Sequence, residues 1–187
     1  MADRISISRE WYIYGDKLLK DYKSENEPKL LFESYIYLWI SLTIAAREYC
    51  ACDGKKFDNQ NGEKTTDKEE ILYWARVKNE KIIEILENNK SLILELCSRA
   101  GSKTGKPIMD TWGKTVQFHE KFIRYWQKNQ KNVDSEDIVK TFILILNRVR
   151  NNLFHGGKSF KVESDVEILE LTCPLLASIT KLCINTF

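Results

Sequence analysis

The segment Arg150-Asn151-Asn152-Leu153-Phe154-His155-Gly156-Gly157-Lys158 brings a guanidinium, side-chain amides and an imidazole together in one short stretch. These are the groups needed to break a phosphodiester without a metal. In-line attack by a ribose 2′-hydroxyl requires a proton removed from that hydroxyl, charge stabilised on the equatorial phosphate oxygens, and a proton given to the leaving 5′ oxygen. Histidine titrates near neutrality and suits either transfer, while arginine stays charged and grips phosphate with a planar fork. One histidine does not easily serve as both acid and base in one turnover. Two such segments across a two-fold axis would supply two imidazoles and two guanidiniums, which is a chemical reason to expect a dimeric site.

The element that must position these groups is legible. Asp134-Ser135-Glu136-Asp137 offers a capping residue and first-turn carboxylates, and Ile138, Phe142, Ile145, Leu146, Val149 and Leu153 recur at the spacing of one buried helical face. Gly156-Gly157 is the expected stop. Asn147, Arg150, Asn151 and His155 then share a second, polar face if the helix stays regular to His155. Ile143 and Leu144 lie off the core stripe, so the middle of the helix is apolar nearly all round and should be buried on more than one side. A plainer use of the same residues is structural. An arginine near a helix end pairs with its open carbonyls, and a histidine before a glycine cap does the same through the helix dipole.

Arg150-Asn151-x-x-x-His155, near the end of a helix, resembles the signature of the HEPN superfamily of small all-helical proteins. The aromatic run Phe32-Glu33-Ser34-Tyr35-Ile36-Tyr37-Leu38-Trp39-Ile40 is similar to the first long helix of many bacterial members. The likeness covers these two helices and the general layout. It implies a homodimer in which two motifs face each other and cleave single-stranded RNA without a metal. His155 would then be the acid/base and Arg150 the phosphate holder, with Asn151 positioning one or the other. The expected setting is a prokaryotic toxin or antiviral defence effector, with an antitoxin or regulatory protein as partner. Members paired with nucleotidyltransferase antitoxins often carry a tyrosine two residues after the histidine. Gly157 stands there, so nucleotidylation of such a tyrosine is not expected. The rival reading is a non-catalytic module of the same fold that binds a nucleotide, an RNA or a protein. A purely structural helical adaptor is a third.

Composition sets the bounds. With 187 residues, 43% hydrophobic and 30% charged, the chain suits one globular domain spanning 1–187. The five cysteines, at 50, 52, 97, 173 and 183, follow no framework spacing, and Met1-Ala2-Asp3-Arg4 is not a secretory leader, so a reducing cytoplasm is expected. Cys50-x-Cys52 and His119 lack companions for a tetrahedral set, so no metal or cofactor is expected. The apolar run Tyr35 to Ala46 is short for a bilayer, and no membrane span is expected.

Net charge is only +2, but its distribution is uneven. From Ile138 to Val162 there is no acid, whereas Lys140, Arg148, Arg150, Lys158 and Lys161 are basic. Asn147, Arg148 and Lys158 are therefore the expected substrate contacts beside the motif. From Gly101 to Lys131 seven Lys or Arg face Asp110 and Glu120, with aromatic residues interleaved. A basic groove with rings suits single-stranded RNA, although Phe118, Phe122 and Tyr125 or Trp126 also follow helical spacing and suit a core.

Along the chain, helices are expected from Ile7 to about Tyr22, from Pro28 to about Cys52, and from Asp67 to about Asn88. A shorter helix covers Leu92 to Cys97, and a final one starts at Asp165 and is kinked or split at Pro174. Gly101-Ser102-Lys103-Thr104-Gly105-Lys106-Pro107 resembles a phosphate-binding loop only in part. Its glycines are one residue too close and Pro107 stands where a magnesium-binding hydroxyl belongs, so an NTPase is excluded. The expected architecture is an all-α, HEPN-like helical bundle, forming a two-fold dimer with the motif helices at the interface.

Overall fold

The computed structural model describes residues 3–55, 66–101, 124–126, 134–154 and 161–187. These form α1 (Arg4–Glu25), α2 (Pro28–Cys52), α3 (Asp67–Val77), α4 (Asn79–Asn88), α5 (Lys90–Gly101), α6 (Ser135–Phe154) and α7 (Glu163–Ile184). A further helical turn lies at 124–126, and there is no strand among the described residues. The architecture is all-α, as the periodicity predicts.

Local chemistry sets the helix ends. Asp3 Oδ1 accepts the Ile5 N–H at 3.1 Å, so α1 starts at Arg4 and not at the expected Ile7. Asn26 closes it in the left-handed conformation, φ 54°, with its N–H on the Tyr22 carbonyl at 2.8 Å. Pro28 then opens α2, where its missing N–H leaves no bond unmade.

The buried residues of α2, including Ser34, Tyr35, Leu38, Trp39, Ser41, Leu42, Ala45 and Ala46, take up about half of its circumference, and half-buried Ile36, Tyr37, Ile40 and Ile44 line much of the rest. Such a helix needs cover on most sides. It is the one described helix that is long and apolar enough to cross a membrane, a length the run Tyr35 to Ala46 understated, and 56% of its apolar window is buried inside the bundle. α1, α7, α3 and α6 all pack on it.

The α1–α2 contact is made by small residues. Ser8 Oγ donates to the Ser41 carbonyl at 2.9 Å, Ser41 Oγ returns a bond to the Ser8 carbonyl at 2.7 Å, and Ser34 Oγ donates to the Gly15 carbonyl at 2.7 Å. Trp11 and Tyr12 are half-buried at its edge, and Trp11 stacks on Tyr37 at 5.1 Å.

Two expectations change. The helix from Asp67 to Asn88 is divided at Lys78, whose backbone (φ −100°, ψ 20°) leaves helical values without a proline or glycine. The division lets α3 lie along α2 and α6 while α4 packs on α6 and α7, and the Lys78 ammonium covers the Tyr49 ring at 5.2 Å. At Pro174 the final helix is not split: α7 runs from Glu163 to Ile184 through it. Pro174 is half-buried, and the bond it cannot make falls on the carbonyl of exposed Glu170, where water can substitute.

Gly15 supplies a direct test of the close approach. A Cβ there would lie 3.0 Å from Leu38 Cγ and 3.2 Å from the Leu38 backbone nitrogen. Gly15→Val should destabilise the fold by about 1–3 kcal/mol, the usual range for overpacking, as read by urea unfolding. Unchanged stability would mean that α1 and α2 are not locked at this separation.

Candidate functional site

α6 is the platform. Asp134 caps it, with Oδ1 accepting the Glu136 N–H at 2.9 Å and its carbonyl accepting the Ile138 N–H at 3.2 Å. Its buried residues are Ile138, Val139, Phe142, Ile143, Ile145, Leu146, Val149 and Asn152, which form one broad contiguous face and not the burial on more than one side that the sequence suggests. Ile143 belongs to the core, whereas Leu144 remains 38% exposed. Tyr35, from the aromatic helix, pins the middle by donating its hydroxyl to the Leu146 carbonyl at 2.8 Å. Complete burial pushes that phenol well above its ordinary pKa, which keeps the donor proton in place.

The outer side of α6 carries Lys140, Leu144, Asn147, Arg148, Asn151 and Phe154, all at least partly exposed. Asn147, Arg150 and Asn151 are each half-buried. His155, Gly156, Gly157 and Lys158 lie outside the described residues, as do His119 and most of the basic stretch from Gly101 to Lys131.

Arg150 lies where the start of α3 meets the end of α6. Its Nη1 donates to Asn151 Oδ1 at 2.9 Å, and its guanidinium carbon stands 4.6 Å from the centre of the Phe154 ring. Nη2 lies 3.9 Å from Asp67 Oδ2, too far for a hydrogen bond. Nε is buried and has no hydrogen-bond partner among the described residues. Asn151 thus orients the fork, Phe154 supports its face, and Asp67 supplies a nearby opposite charge.

Asp67 is itself held. Arg47, on α2, donates Nη2 to Asp67 Oδ1 at 2.9 Å and Nε to both oxygens of Glu70 at 3.1 Å. The Glu70 hydrogen bond is the chief reason that the Arg47 pKa is raised. Asp67 also opens α3, where a carboxylate favours the helix dipole, and Glu69 Oε2 accepts the Thr66 N–H at 3.1 Å in the same turn. The result is an alternating chain of charge, Glu70–Arg47–Asp67–Arg150.

No family model, no curated protein and no solved structure matches this chain. Its chemistry therefore has to be argued from its own side chains.

Four residues of this cluster are absent from the sequence reading of the site: Arg47, Asp67, Glu70 and Phe154. Phe154 stands four residues after Arg150, the helical spacing at which a cation can meet a ring, so a signal existed. Asp67 has no comparable signal, because only the fold brings it to α6.

The remaining candidates fall elsewhere. A groove of about 570 Å³ opens between α3 and the first turns of α6, lined by Lys55, Leu72, Tyr73, Arg76, Asp134 and Lys140 among others, and no motif residue borders it. Cys50, Cys97, Cys173 and Cys183 are buried and Cys52 is exposed, with no disulfide among them. Burial pushes the Cys50 thiol up to about 11 and those of Cys97 and Cys173 up to about 12, so these three remain protonated at neutral pH. No group of three potential metal-binding side chains converges among the described residues.

Arg47→Ala would leave Glu70, whose side chain is only 10% exposed, without its cation. The expected loss is about 1–3 kcal/mol of stability, the range for an unsatisfied buried polar group, and it should shrink in a Glu70→Gln background. Equal losses in both backgrounds would show that the pair is not coupled.

Proposed function

We propose that this chain is a metal-independent endoribonuclease that cleaves single-stranded RNA by 2′-hydroxyl attack, within a HEPN-like two-fold dimer whose motif helices face each other. The biological role that fits is a prokaryotic toxin or defence effector. The observation that carries the reading is Arg150. Its guanidinium is oriented by Asn151 and supported by Phe154 on the outer side of α6, its side chain is 30% exposed, and its Nη2 stands 3.9 Å from Asp67, beyond hydrogen-bond distance. An arginine so arranged retains donors for a phosphate. His155, the proposed acid/base group, follows Phe154 directly in sequence. Leu144 and Phe154, exposed apolar side chains on α6, suit burial against a second copy.

One observation favours a second reading. The Asp67 carboxylate already neutralises part of the Arg150 charge, as it would in a non-catalytic module where the arginine serves binding or helix docking. Cleavage assays separate the two. A folded His155→Ala variant should lose about a hundred- to ten-thousand-fold in rate on labelled single-stranded RNA. Wild-type activity in that variant would remove His155 from the reaction. The products should carry 2′,3′-cyclic phosphate and 5′-hydroxyl ends, and a 2′-O-methyl group at the cut should block the reaction. Cutting of the methylated bond would exclude 2′-hydroxyl attack.

Assembly is tested by mixing. Arg150→Ala and His155→Ala chains, each inactive alone, should regain part of the activity together if one cleft draws on both protomers. A wild-type protein that sediments as a monomer at working concentration and cleaves at full rate would rule out the composite site.

A further inference from the structure

The Arg150–Asp67 contact has a geometry that its neighbours lack. Arg47 reaches Asp67 at 2.9 Å and Glu70 at 3.1 Å, within hydrogen-bond range, whereas Arg150 stands at 3.9 Å from the other Asp67 oxygen. Asp67 is fixed from two directions, by Arg47 and by its place in the first turn of α3. Arg150 is fixed by Asn151 and Phe154. The two groups therefore face each other across a gap that neither needs to close in order to stay in place. A carboxylate at that distance does not orient the guanidinium. It lowers the positive potential that the guanidinium presents to any other anion.

We infer that Asp67 is a built-in counter-ion to Arg150, competing with the phosphate of a bound RNA and setting how weakly the resting site holds it. The inference rests on reading Arg150 as the phosphate holder. It adds a residue from another helix, and a direction: removing the Asp67 charge strengthens anion binding. The Asp67 side chain is 39% exposed and that of Arg150 is 30% exposed, so solvent and salt weaken the competition without abolishing it. Arg47 keeps its Nε on both Glu70 oxygens, but its Nη2 loses the Asp67 charge as well, so the Arg150→Ala background is what separates the two guanidiniums.

The test is equilibrium binding of a fluorescent, fully 2′-O-methylated single-stranded RNA, which cannot be cleaved through its 2′ oxygen, followed by anisotropy. Asp67→Asn keeps the size of the side chain and removes its charge. It should tighten binding by about three- to tenfold at low ionic strength, with the gain shrinking as salt is added. The gain should vanish in an Arg150→Ala background. Asp67→Glu, which keeps a carboxylate, should bind no more tightly than wild type. Melting temperatures of all variants verify that folded proteins are compared. Equal affinities of wild type and Asp67→Asn, including no binding by either, overturn the inference. So does a gain that persists without Arg150, since it would reflect overall charge alone. Tighter binding through Arg150 in a protein that never cleaves would sink the ribonuclease reading and leave this one standing. Cleavage that depends on Arg150 and His155, with no effect of Asp67→Asn on affinity, would do the reverse.

Discussion

A 25-residue helix that is apolar on nearly every side cannot stand in water, and α1, α3, α6 and α7 are arranged as cover for α2. The cover is of two kinds. α1 comes close because Ser8, Gly15, Ser34 and Ser41 take little room, and their hydroxyls find backbone carbonyls. α7 brings Leu175, Leu176 and Ile179 into the core, and its Thr180 hydroxyl reaches both the Leu176 carbonyl of its own helix and the Leu38 carbonyl of α2. Polar groups are thus admitted beside α2 where they have a partner, which is the condition for burying them at modest cost.

The same helix determines how the candidate site is held. Tyr35 fastens α6 by its hydroxyl, and Arg47 fastens the start of α3 by its guanidinium. The site sits where α3 and α6 come together, with Asp67 near Arg150 at one end and Asn79 Nδ2 donating to Ser135 Oγ at 2.7 Å at the other. Arg150 is therefore placed by a chain of contacts leading back to the core, although it works at the surface. Charge alternates along that chain, so two guanidiniums lie near each other with a carboxylate between them.

How much of this was legible in the sequence depends on what kind of signal each feature leaves. The bounds of α2, the stripe Leu31, Tyr35, Leu38, Trp39, Leu42, Ala46 and Tyr49, and the core face of α6 all follow hydrophobic periodicity, and the structure buries all of those α2 residues except Tyr49, which is half-buried at the edge of the core. The α1–α2 contact escaped that method because serine and glycine have no hydrophobic pattern. The division at Lys78 escaped because neither proline nor glycine marks it, and tertiary packing overrides local preference there. Pro174 does not split α7, because it sits at a place where its lost bond can be hydrated. At the site, the motif residues were legible as a run, but Arg47, Asp67 and Glu70 come from helices remote in sequence and leave no spacing to detect.

The cover of α2 also sets the order in which this protein can be completed on the ribosome. α1 emerges before α2, but the side of α2 near Ser34 and Leu38 is met by Cys173 and Thr180 of α7, the last helix described. At ordinary translation rates the interval between the two is on the order of ten seconds. During that time the nascent chain displays a surface apolar enough to pass for a membrane segment. Closure across so many intervening residues is a slow, long-range event by its topology. The uncovered flank of α2 is accordingly the surface through which an unfinished chain would meet chaperones, lipid or other unfinished chains.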